Sequence, residues 1–236
     1  MRSLALVRAR WGIGVALLLG LVAMVRYPGG DPLDRSSAGY APTRNFLSDL
    51  GMTVAYNGQS NRLGASLFTA SLLLLVASMG ILLTGLLNHY SNTARARGFA
   101  RYAGMVGAAA CAAFVVVAFT PENRVLSLHV QATLLAWRLV PVASTLLTLA
   151  ALNAHGVSRR SIGVLFALTV VLVAYVTLLG WGPSMASLSG LRINVVAQKV
   201  MAVVLAGALM LLSAAREIRA PMAASHVSSI TAVGRR

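Results

Sequence analysis

The chain alternates between long apolar runs and short polar breaks. Apolar runs recur at about 11–27, 63–87, 99–119, 126–152, 162–180 and 193–213. Each is long enough, as a helix, to cross about 30 Å of hydrocarbon. Lipid cannot satisfy bare backbone N–H and C=O groups, so every run is predicted to be helical. The pattern predicts an all-α, polytopic membrane protein: a six-helix domain over 1–216, then a Ser- and Ala-rich tail over 217–236. The tail has no sustained periodicity and reads as a disordered cytoplasmic end. Pro141, inside the fourth run, removes one backbone hydrogen bond and predicts a kink.

The longest polar break separates the first two spans and contains "RNFLSDLG" at 44–51. Phe46, Leu50 and Val54 recur every four residues there. That spacing predicts a short amphipathic helix at the outer interface, started by Thr43 or Asn45 and stopped by Gly51.

Composition excludes a soluble fold. The chain is 58% hydrophobic and 11% charged, with a mean hydropathy of +0.77, too little charge to cover a water-facing surface. The net charge of +15 is spread through short breaks with no basic face, so nucleic acid is not an expected partner, whereas membrane lipids are. Lys and Arg number twelve on the side of the N-terminus, the 88–101 segment, the 153–160 loop and the tail. The other side carries six, namely Arg26, Arg35, Arg44, Arg62, Arg124 and Arg192. The richer side is expected to be cytoplasmic, which places both termini inside a cell (inner or plasma) membrane. The first span follows Arg2, Arg8 and Arg10 like a signal peptide, but no small-x-small cleavage site comes promptly, so it reads as a retained helix.

The single cysteine, Cys111, allows no disulfide within the chain. His89 and His155 fall at inner helix ends and His226 in the tail, so neither a metal site nor a haem pair is expected, and no cofactor is implied. Ala100, Gly104, Ala108 and Ala112 form a four-residue-spaced small stripe on the third span, suited to close packing within the chain or to a homo-oligomer seam.

Candidate chemistry gathers toward the outer face. Asp49 lies in the polar break, His129 near the outer end of the fourth span, and Arg138 nine residues deeper. Arg192 and Lys199 share a face of the sixth span. A charge in mid-membrane is costly and is expected to face a bundle interior or cavity. No acid lies within a span to neutralise Arg138 or Lys199, so either Asp49 or Glu122 dips in from outside or an anionic ligand supplies the charge. Asp49, His129, Arg138, Arg192 and Lys199 are therefore the candidate ligand-binding residues. Ser48, Asp49 and His129 are also the residue types of nucleophile, orienter and base, though adjacent residues on a helix point about 100° apart.

"RNFLSDLG" before the second span, "TPENRVLSLH" entering the fourth and "GLRINVVAQK" entering the sixth resemble the bacterial and archaeal six-helix membrane family called domain of unknown function 998. The resemblance would span about Trp11 to Ser213 and draws attention to Ser48, Asp49, Gly51, Pro121 and His129. Lys199 departs from the Arg expected there. The resemblance implies the architecture and no activity. The leading expectation is a binding protein that holds a lipid headgroup or small anion in an outward-facing cationic pocket, and an enzyme is the less expected class. One alternative is an intramembrane hydrolase or transferase using Ser48, Asp49 and His129. Another is a small-solute transporter, for which the chain lacks the internal repeat that many such folds carry.

Overall fold

The computed structural model describes residues 2–215, so the expected tail over 217–236 lies outside the described residues. Among the described residues the fold is all-helical, with six helices long and apolar enough to cross a membrane. They are α1 (Arg2–Arg26), α2 (Arg62–Tyr90), α3 (Ala94–Phe119), α4 (Glu122–Asn153), α5 (Arg159–Trp181) and α6 (Leu188–Ala214). The chain is a multi-pass membrane bundle.

Several helices begin before the hydropathy rises, because capping starts them. Thr93, Ser158 and Ser187 each accept a backbone N–H of the following first turn, opening α3, α5 and α6 in polar sequence. Hydropathy reports only the part of a helix that lies within the hydrocarbon layer. Pro141 keeps helical φ/ψ inside α4, and the non-helical residue of that helix is Val125, at φ −135° and ψ 53°.

Each helix packs on its chain neighbours, and α6 returns to α1, so the six form a closed ring. Phe114, Trp137 and Tyr175 run edge to face through the core, with centroids 5.0 and 5.6 Å apart, joining α3, α4 and α5. At the end of the bundle where α3 begins, Asn92 exchanges hydrogen bonds with the backbone of His155, and the Thr93 hydroxyl donates to Asn153 O.

The small-residue stripe divides. Ala100 is buried and Gly104 packs closely on α2, where a Cβ would lie 2.9 Å from Leu87 Cδ1, whereas Ala108 and Ala112 are exposed. Four-residue steps advance about 40° each on an α-helix, so such a stripe drifts off any one face. The packed face is instead Ala96, Ala100, Ala103, Gly107 and Ala110, at alternating four- and three-residue steps. A Cβ at Gly107 would lie 2.6 Å from Leu83 Cδ2 on α2. Gly107→Leu is expected to overpack the α2–α3 contact and destabilise by about 1–3 kcal/mol, read as thermal unfolding in detergent. Ala108→Leu, on the exposed side, should shift the midpoint little. Equal effects of the two substitutions would refute this assignment of faces.

Candidate functional site

Residues 27–61 fold into a cap over the end of the bundle where α1 finishes and α2 begins. Gly30 turns the chain at φ +81°, where a Cβ would meet Asn57 N at 2.5 Å. Asp31 is fully buried: its Oδ1 accepts the Leu33 and Asp34 amides at 2.9 Å, and its Oδ2 meets Arg44 Nε at 3.1 Å. At the far end of the cap, Asn61 Nδ2 donates to Leu50 O and Met52 O at 3.0 and 2.8 Å.

Between them lies the "RNFLSDLG" segment. The expected amphipathic helix does not form. Only Ser48–Gly51 makes a single 3-10 turn, and Val54 pairs instead with Ser60 in an isolated bridge. Side-chain competition for the backbone explains the difference. Asn45 Oδ1 accepts the Ala41 amide at 2.9 Å, and its Nδ2 donates to Gly30 O and Asp49 Oδ2 at 2.9 and 3.0 Å. Asp49 Oδ2 also accepts the Phe46 amide at 2.9 Å. Asn45 and Asp49 are both fully buried and fix a turn that a continuous helix would destroy.

The cap is fastened to two helices. On α6, Gln198 Oε1 accepts the Leu47 amide at 2.8 Å, and Lys199 Nζ donates to Asn45 O at 2.5 Å, 5.2 Å from the Tyr40 ring centroid. On α4, Asn123 Oδ1 accepts the Thr53 amide at 2.9 Å, and Arg124 Nε donates to Thr53 Oγ1 at 3.1 Å. Gly51 packs where a Cβ would lie 3.0 Å from the Phe68 ring, and Pro121 directly precedes α4.

The proposed site residues converge only in part: Asp49 and Lys199 meet under the cap through Asn45, and the others lie apart. Arg138 is exposed on the outside of α4, and among the described residues it has no carboxylate partner, so the expected pairing with Asp49 is absent. Arg192 is exposed too, while Lys199 is tucked under the cap. His129 is buried, its Nδ1 2.6 Å from Thr120 O and its Nε2 4.0 Å from Glu122 Oε2. Among the described residues Ser48 makes no side-chain hydrogen bond, so Ser48, Asp49 and His129 are not arranged as nucleophile, orienter and base. Among the described residues, no three His, Cys, Asp or Glu side chains gather to hold a metal ion.

Asp49 nonetheless stands apart electrostatically. Burial, reinforced by the Glu122 charge, pushes its carboxyl up to about 7, against the pull of Asn45, the Phe46 amide and Lys199. Its Oδ1 is buried without a hydrogen-bond partner among the described residues. Burial and the nearby Asp49 likewise raise the hydroxyls of Tyr40 and Tyr56 above their ordinary value.

A second feature was not legible as a site in the sequence. A groove of about 610 Å³ opens between the cap, α2, α3 and the start of α4. Arg62 and Arg124 stand on it together with Ser66 and Thr69, and Leu73 and Phe119 supply apolar wall. The two arginines lie 62 residues apart in the chain, so only the fold brings them to one groove.

No protein-family model matches this chain, and no curated protein or solved structure is significantly similar to it.

Proposed function

We propose that this is a cell-membrane protein with cytoplasmic termini that holds the anionic headgroup of a membrane lipid at its outer face. The binding groove is the one bearing Arg62 and Arg124, not the Asp49–Arg138 region that charge accounting suggested. The carrying observation is that two arginines line one groove without a carboxylate partner among the described residues. Arg62 opens α2 and Arg124 lies in the first turn of α4, so the positive ends of two helix dipoles add to the same field. Arg124 spends Nε on Thr53, which leaves its terminal nitrogens for a phosphate. Leu73 and Phe119 offer an apolar wall for the start of an acyl chain, and Phe119 is 64% exposed.

Native mass spectrometry of protein purified in mild detergent tests this reading. The double variant Arg62→Gln, Arg124→Gln is expected to retain phosphatidylglycerol at least about tenfold less than the parent, since each lost charged hydrogen bond costs about 1.5–3 kcal/mol. Retained phosphatidylethanolamine should change little. Unchanged phosphatidylglycerol, or equal loss of both lipids, overturns the proposal.

A further inference from the structure

Arg138 lies 16 residues from the start of α4 and 15 from its end. It is therefore at the centre of the span, about 15 Å from either edge of the hydrocarbon layer. That exceeds what an arginine side chain can reach. Yet Arg138 is exposed on the outer face of the ring, without a carboxylate partner among the described residues. The other exposed arginines of the described helices lie nearer a helix end.

Its surroundings form a seam. Gln131, Leu135, Arg138, Val142 and Thr145 are all exposed and follow one another at steps of four, three, four and three. That is the spacing by which one helix meets another along its length. Gln131, Arg138 and Thr145 recur every seven residues, so a polar line runs along a surface otherwise given to lipid. Pure hydrocarbon is a poor environment for it.

We propose that this face of α4 docks a transmembrane helix of a different protein, one that carries an Asp or Glu near the middle of its span. Charge complementarity selects the partner. A second copy of this chain cannot supply the carboxylate, because among its described helices the only acid is Glu122, in the first turn of α4. A symmetric dimer through this face would instead set Arg138 against Arg138. A carboxylate on an opposing helix would pair with the guanidinium, and Gln131 and Thr145 would offer polar contacts above and below it.

The test uses the full chain in phosphatidylcholine vesicles and synthetic single-span oligo-leucine peptides. One peptide has a central Asp, one a central Lys and one neither. Energy transfer between dyes on the protein and the peptide reads association. The Asp peptide is expected to associate about tenfold more tightly than the all-Leu peptide. Arg138→Leu should abolish that difference, and Arg138→Asp should transfer the preference to the Lys peptide. Because Arg138 is exposed, these variants are expected to fold, and an unchanged unfolding midpoint verifies it. Equal association of the Asp and all-Leu peptides overturns the proposal. So does a preference for Asp that survives Arg138→Leu. Neither result bears on the lipid groove, which contains no part of this seam.

Discussion

Asn45→Ala is expected to destabilise the protein by about 3–5 kcal/mol. One side chain satisfies the Ala41 amide, Gly30 O and Asp49 Oδ2; the last two bonds are buried and the first is partly so. Removing it leaves those groups without that partner, and each unsatisfied buried group costs about 1–3 kcal/mol. Some of the cost is recovered if the cap loosens and admits water, which is why the lower part of the summed range is expected. The loosening should itself be visible. Asn45 O anchors Lys199, and the Leu47 amide anchors Gln198, so the cap should separate from α6 as the turn relaxes. Thermal unfolding in detergent reads the energy, and hydrogen exchange at Phe46 and Leu47 reads the loosening. A loss under about 1 kcal/mol, with protection at Leu47 unchanged, would mean that Asn45 is not the hub of the cap. Tyr40→Phe is the milder comparison, because it removes a hydroxyl that donates to Asn45 O and Phe46 O and leaves the Asn45 side-chain bonds in place.

The six spans were legible because the bilayer imposes a length and a hydropathy that can be read directly from the chain. Their starts were less so. A cap such as Thr93 or Ser158 extends a helix into polar sequence, where hydropathy is silent. The "RNFLSDLG" segment was recognisable as unusual, yet its conformation was not. Its four-residue apolar spacing argued for a helix, while Asn45 and Asp49 carried the competing instruction to turn. Charge accounting failed for Arg138, though not for Lys199, which lies under the cap and is linked to Asp49 through Asn45. It assumed that Arg138 must face inward because outward is expensive, but Arg138 faces outward. The cost of that position is what motivates a partner helix. The small-residue stripe misled through its period, since the buried face of α3 follows alternating steps that bring in Ala103 and Gly107. Arg62 and Arg124 escaped notice because each counted only as one of six charges on one side of the membrane, and only the closure of the cap against α4 places both on one groove.

Stability is expected to fall as pH rises from about 4 to about 7, opposite to the usual contribution of an aspartate. The Asp49 carboxyl is held at about 7 in the folded protein, above its ordinary 3.8. Between those values the folded chain keeps a proton that the unfolded chain has released. The unfolded state then binds fewer protons, so the unfolding free energy decreases with pH. The contribution is fully present below about 4, declines through the interval and levels off above about 7. At about 1.4 kcal/mol per pH unit the total is at most about 4 kcal/mol, and relaxation of the cap would reduce it. Tyr27, Tyr40 and Tyr56, which lie in the same electrostatic environment, are shifted upward and do not titrate in this interval. Asp49→Asn keeps an oxygen to accept the Asn45 and Phe46 donors and removes the charge. It should flatten the profile between pH 4 and 7 and leave the variant at least as stable as the parent at pH 8. Glu122→Gln should move the fall to lower pH, because the Glu122 charge is one of the two causes holding the Asp49 carboxyl up. Unfolding midpoints across pH 4 to 8 decide the matter. A parent whose stability rises over that range, or an Asp49→Asn variant less stable at pH 8 than the parent, would show that Asp49 is a charged anchor of the cap.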